Sequence, residues 1–306
     1  MSETMAIEIR GLTKRYGKVQ ALAGLDLAVE AGEAFGFLGP NGAGKTTTIR
    51  CLLDLIRPDG GQARVLGIDP QAHPVAVKAR TGYLPGELHL NDNWNAERQL
   101  RFFAALRGGQ ADWQHARELA RRLDLNLAQP IKNLSKGNKQ KIGVIQALMH
   151  RPPLLLLDEP TSGLDTLMQQ EVLKLIGEAR AAGATVFFSS HVMSEVQAAA
   201  GRVGIIRQGR IVEVAQTSRL RDLSLRQMTV HFQRPVDLSQ LAAAPGVRLL
   251  SSDDGSRATL QVGGDMDTLV KALGAFPVRE LEVVKPSLEE VFLAYYRDGE
   301  VRKENG

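Results

Sequence analysis

From Ala6 to Arg10 apolar and polar residues alternate, with Ile7 and Ile9 on one face, and a second alternating run covers Ala21 to Val29. Period-two patterning predicts half-exposed strands, so the start of the chain reads as an antiparallel strand layer. Further on the polar face disappears. Ala34-Phe35-Gly36-Phe37-Leu38, Leu154-Leu155-Leu156-Leu157 and Ala184 to Ser189 are nearly unbroken apolar runs, the pattern of strands covered on both faces in a parallel sheet. Short strands are predicted at Gln62 to Leu66 and at Thr81 to Pro85, and a hairpin over Val203 to Val214 with Gly209 in its turn. Helical spacing fills the gaps. It runs over Thr47 to Leu53, over Trp94 to Leu127 in two helices (Leu100, Phe103 and Leu106 on one, Ala116, Leu119, Ala120 and Leu123 on the other), and over Leu134 to His150. It returns through Ile176 and Ala179 and over Val192 to Ala200.

Alternation of strand and helix patterns predicts an α/β domain over residues 1–217, with a helical subdomain at about 88–150 inserted into it. Past Thr217 the pattern changes. Strand-like runs at Met228-Val230-Phe232, Leu260-Val262 and Val278 to Val284, with helical stretches at Asp265 to Leu273 and Ser287 to Tyr296, predict a second, small α+β domain over 218–306. A ferredoxin-like sandwich fits that order, and no motif in it points to chemistry.

Composition changes this picture little. Of 306 residues, 43% are hydrophobic and 24% charged, and the net charge is +4, too small to argue for nucleic acid or a membrane surface as partner. The single cysteine, Cys51, excludes an internal disulfide and a multi-cysteine metal site. No stretch approaches the roughly 18 apolar residues of a membrane span. The N-terminal residues lack a basic start and an apolar signal core. The expectation is a cytoplasmic chain that meets a membrane only through a partner.

The chemistry lies at the ends of the apolar strands. After Ala34–Leu38 comes Gly39-Pro40-Asn41-Gly42-Ala43-Gly44-Lys45-Thr46-Thr47, which fits the phosphate-binding pattern G-x-x-x-x-G-K-[ST] between a strand and a helix, as that chemistry requires. Glycines let backbone N–H groups close on phosphate oxygens, and the helix N-terminus adds partial positive charge. Lys45 reaches the β- and γ-phosphates and the Thr46 hydroxyl ligates Mg²⁺ in such a loop. After the leucine strand come Asp158 and Glu159. Strands of a parallel sheet deliver their C-terminal residues to the ligand edge. There an Asp serves the Mg²⁺ shell and a Glu polarises an attacking water. By pattern alone, Tyr16 reads as packing and His191 as a structural histidine.

With both halves in place, the chain resembles the nucleotide-binding subunit of an ATP-binding cassette (ABC) transporter of the bacterial drug-efflux branch, over residues 5 to 217. The resemblance implies a P-loop NTPase ABC cassette with ATP and Mg²⁺ as cofactors. The segment usually written LSGGQ is here Leu134-Ser135-Lys136-Gly137-Asn138, keeping Ser135 and Gly137, which in the family contact the γ-phosphate of the opposite subunit's ATP. Tyr16 matches the aromatic that stacks on adenine, Asp165 the loop that crosses to the partner cassette, and His191 the switch histidine at the γ-phosphate. One position departs. The family's glutamine or glutamate after Tyr-Leu-Pro is Gly86 here, followed by Glu87, and a one-residue shift makes Glu87 the expected metal ligand. The resemblance further implies a homodimer of cassettes, a separate transmembrane permease subunit and export as the direction of transport. The competing reading is an ABC-type ATPase acting on nucleic acid or ribosomes, outside transport. Lack of a coiled-coil insertion and of a second cassette weighs against it, and no nucleic-acid partner is expected.

Overall fold

The computed structural model describes residues 5–109, 112–218, 226–242, 244–262 and 266–284. The chain divides into two compact units, Met1–Thr217 and Ser218–Gly306.

In the first unit, β1 (Met5–Tyr16) pairs antiparallel with β2 (Val19–Glu30) and β4 (Gly60–Val65), in the order β2-β1-β4. A six-stranded sheet carries β5 (Thr81–Leu84), β6 (Leu154–Asp158), β7 (Thr185–Ser190), β3 (Ala34–Leu38), β8 (Arg202–Arg207) and β9 (Arg210–Gln216), in that order. All neighbours in it are parallel except the hairpin β8-β9. Every residue of β3, β6 and β7 is buried, which is why these runs lack a polar face. Phe187 stacks on Phe35 and tilts against Phe37, at centroid distances of 5.8 and 5.1 Å, locking β3 to β7. Gly36 admits helix α7 (Met193–Ala199) against β3, since a Cβ there would stand 2.4 Å from Val196 Cγ1.

Helix α1 (Lys45–Leu52) follows β3 directly. Between β5 and β6 lie α3 (Ala96–Leu106), α4 (Trp113–Arg122) and α5 (Lys136–Leu148), started by side-chain caps from Asn95, Asp112 and Ser135. Such caps satisfy first-turn N–H groups that have no helical partner. Arg122 binds Glu171 at 2.6 Å and Glu178 at 2.5 Å, tying α4 to α6 (Thr166–Ala181). Helix α2 (Pro74–Ala79) escapes the sequence reading because only Val77 is buried and no apolar face forms.

In the second unit, β10 (Arg226–Phe232), β11 (Val247–Asp253), β12 (Arg257–Val262) and β13 (Val278–Val284) form an antiparallel sheet ordered β11-β12-β10-β13. With helix Ser239–Ala242 after β10 and helix Met266–Leu273 after β12, the chain follows the β-α-β-β-α-β course of ferredoxin-like folds. Met228, Val230, Leu241, Leu260 and Leu269 build its core. The sequence pattern misses β11, which buries only Val247, and the four-residue helix Ser239–Ala242. The helix expected over Ser287 to Tyr296 lies outside the described residues.

Candidate nucleotide site

The phosphate loop is shaped by what its glycines leave out. Gly44 sits at φ +113°, where a Cβ would meet Ala21 O at 2.6 Å; one on Gly39 would meet Ile206 O at 2.5 Å. Only glycine allows both backbone paths. Hydrogen bonds from Gly39 N to Ser190 O (3.2 Å), Ala43 N to Pro40 O (3.2 Å) and Gly209 N to Ala43 O (2.9 Å) hold the loop against β7 and the β8-β9 turn. Gly44 precedes α1 without a side-chain cap, and the first turn of the helix carries no acidic residue. Its leading N–H groups are therefore open to an anion without competition from a side chain. Lys45 is 6% exposed and folds back over the loop, donating to Gly39 O at 2.6 Å and Pro40 O at 3.3 Å.

The ends of β6 and β7 supply the other wall. Asp158 is fully buried, and its Oδ1 accepts from the Ser189 hydroxyl at 2.6 Å. The same Ser189 oxygen accepts from Glu159 N at 3.0 Å. Asp158 Oδ2 has no hydrogen-bond partner. A buried unsatisfied polar atom costs about 1–3 kcal/mol, more when charged. This oxygen therefore fits a bound cation or its water shell, being a hard oxygen donor of the kind Mg²⁺ takes. Glu159 adopts a left-handed backbone, φ +50°, uncommon for a residue with a side chain. Its carboxylate stands between Lys45 Nζ, 3.1 Å from Oε1, and His191 Nδ1, 2.8 Å from Oε2. An ionised carboxylate only accepts, so Nδ1 is the donor in this contact and Nε2 is left for another partner. Lys45, Glu159 and His191, far apart in sequence, meet at one point.

The Leu134–Asn138 segment opens α5 and packs on the loop that follows Glu159. Ser135 Oγ accepts from Asn138 N at 3.2 Å. Gly137 packs so closely on the next loop that a Cβ would lie 2.6 Å from Gly163 O. Asp165 caps α6, accepting from Leu167 N and Met168 N, both at 3.1 Å. Tyr16, 46% exposed at the end of β1, has its ring open to solvent with Lys14 Nζ 5.8 Å from the centroid.

At the departing position, Gly86 stands against Asp158: a Cβ there would sit 2.8 Å from the partnerless Oδ2. Glu87 is exposed. Gly86 thus takes the place beside Asp158 at which a carboxylate from Glu87 was expected.

Sequence reasoning also missed three residues. Ser189 joins Asp158 to Glu159. Gln140 Nε2 donates to Glu159 O at 3.1 Å and Pro160 O at 3.3 Å, tying α5 to the strained peptide. Glu195 accepts from Thr161 and Ser190. The Ser189-Ser190-His191 run was the one available signal, since two hydroxyls at the end of a buried strand need partners.

A parallel sheet with a glycine loop at one strand end, an Asp-Glu pair at another and a histidine at a third defines a P-loop nucleoside triphosphatase. Comparison with known proteins narrows the class. The ABC transporter family profile matches residues 22–162. The daunorubicin/doxorubicin resistance ATP-binding protein DrrA of Streptomyces peucetius is 33% identical, over 95% of this chain and 92% of its own. The linearmycin resistance ATP-binding protein LnrL of Bacillus subtilis is 34% identical over 73% of this chain and 75% of its own. Among solved structures, an ATP-binding subunit of an ABC transporter superposes with a TM-score of 0.64 at 28% identity, covering 71% of this chain and 92% of that one. The chain belongs to the ATP-binding subunits of ABC transporters, a family of ATPases that power transport.

Proposed function

We propose that this chain binds MgATP in the cleft between the phosphate loop and the β6 and β7 ends, and drives export through a separate permease. The convergence of Lys45, Glu159 and His191 beside the partnerless Asp158 oxygen carries this reading. Backbone N–H groups over residues 39–47 hold the phosphates, Tyr16 stacks on the adenine, and Lys45 exchanges its contact with Glu159 for the β- and γ-phosphates. Freed from Lys45, the Glu159 carboxylate orients the attacking water and takes its proton. His191 holds the γ-phosphate. Thr46 and Asp158 would hold Mg²⁺, which would supply charge neutralisation at the phosphates.

Ser135 and Gly137 act on the nucleotide of a second copy, and Asp165 lies on the loop that faces it. The permease docks on the first unit at an apolar cleft of about 180 Å³ lined by Leu53, Leu55, Tyr83, Phe103 and Arg107, with Leu106 exposed on the same helix as Phe103. Tyr83 lies three residues before Gly86, so the cleft and the site share one segment. The direction of transport follows the resistance proteins among the relatives. Residues 218–306 form an accessory domain. Glu159→Gln tests the scheme. With saturating ATP it should accumulate as an ATP-loaded dimer by light scattering. A monomer under those conditions, alone and with the permease present, would overturn the two-copy site.

A further inference from the structure

His191 is held in place by more than its own contacts. Ser190, just before it, is buried at the end of β7, and its hydroxyl donates to Glu195 Oε2 at 2.5 Å while its oxygen accepts from Val192 N at 2.9 Å. The peptide that follows His191 is therefore fixed through one oxygen, and that oxygen is oriented by Glu195. The second carboxylate oxygen, Glu195 Oε1, accepts from Thr161 Oγ1 at 2.7 Å. Thr161 is also buried and opens the loop that leads to Asp165. Hydroxyl bonds to an ionised carboxylate are short and roughly twice as strong as neutral ones. One half-buried side chain on the first turn of α7 thus clamps two loops.

We infer that Glu195 is a positioning residue for ATP hydrolysis, setting His191 against Glu159 and locking the switch segment to the loop carrying Asp165. The inference rests on His191 acting at the γ-phosphate, as proposed above. A residue that acts only through geometry lowers turnover more than it lowers substrate affinity. Its effect is also shared with the groups it holds, so their losses do not multiply.

The test measures steady-state ATP turnover in the full chain with its permease. Glu195→Ala should lower kcat about tenfold with KM for ATP within about twofold, and Glu195→Gln, which keeps one acceptor, should recover about half of that loss on a logarithmic scale. The Ser190→Ala/Glu195→Ala double variant should turn over no more slowly than Glu195→Ala alone. Glu195→Ala added to His191→Ala should cost less than it costs in the parent, since only its hold on Thr161 is then left to lose. The inference is overturned by a kcat within about twofold of the parent in Glu195→Ala, or by losses that multiply in either double variant. A loss in Glu195→Gln equal to that in Glu195→Ala, accompanied by a matching drop in melting temperature, would assign Glu195 to folding and overturn it as well. If His191→Ala itself hydrolyses ATP at the parent rate, the reading of His191 fails first, and a Glu195→Ala loss then belongs to the Thr161 side.

Discussion

The two walls of the nucleotide cleft are built differently. The phosphate loop is made of backbone: glycines without room for a Cβ, N–H groups at a helix start, one main-chain hydrogen bond within the loop and two to neighbouring segments. The opposite wall is made of side chains that hold one another: Ser189 on Asp158, His191 and Lys45 on Glu159, Gln140 on the Glu159 peptide, Glu195 on Ser190 and Thr161. A backbone site is preformed and tolerates little change. A side-chain site can exchange partners, and the proposed reading requires that it does, because there Lys45 leaves Glu159 for phosphate.

The largest effect is expected where the walls meet. Lys45→Ala removes the cation both walls use, and turnover should fall by about 10³, with nucleotide binding lost in a fluorescent-ATP titration. Turnover within tenfold of the parent would show that the backbone wall suffices alone. Ser189→Ala should be milder, about tenfold in kcat. It leaves Asp158 Oδ1 and Glu159 N without their shared partner, so the magnesium concentration for half-maximal rate should rise in the same assay. An unchanged magnesium titration would separate Ser189 from the metal.

The next contrast is between a group inside the fold and one inside the site. Burial and the Arg107 guanidinium push His150 down to about 4. The unfolded chain takes up a proton near the ordinary histidine value of about 6.5 while the folded one resists until about 4. The unfolded state therefore binds more protons in this window, and stability of the first unit falls as pH falls through it. Urea midpoints measured between those limits should slope less steeply in His150→Gln. An identical slope would assign the acid sensitivity elsewhere. Smallest of all, Glu87→Ala should leave kcat within about twofold, since Gly86 and not Glu87 faces Asp158. A tenfold loss would show that the segment rearranges on closing.

Legibility in the sequence followed the same division. Gly39 to Thr47 is contiguous, so a pattern reader finds it, although the atoms that demand its glycines, Ala21 O and Ile206 O, lie far along the chain. The buried strands β3, β6 and β7 announce themselves because neither face may be polar. The half-exposed β11 and short α2 bury one residue each, too few to leave a period. Gln140, Ser189 and Glu195 were invisible for another reason. A buried glutamine or serine is ordinary until its partner is known, and apart from Ser190, five positions from Glu195, these partners lie 19 to 34 positions away.

The amino-acid sequence by itself determined the family, the phosphate loop, the acidic strand and the parallel core, because each rests on local spacing and on burial that composition records. Only the tertiary structure decided that Lys45, Glu159 and His191 share one point and that Gly86 takes the place beside Asp158. It alone showed Glu195 joining two loops. Those are facts about where separate strand ends arrive. Arrival depends on strand order and register, which no run of residues encodes locally.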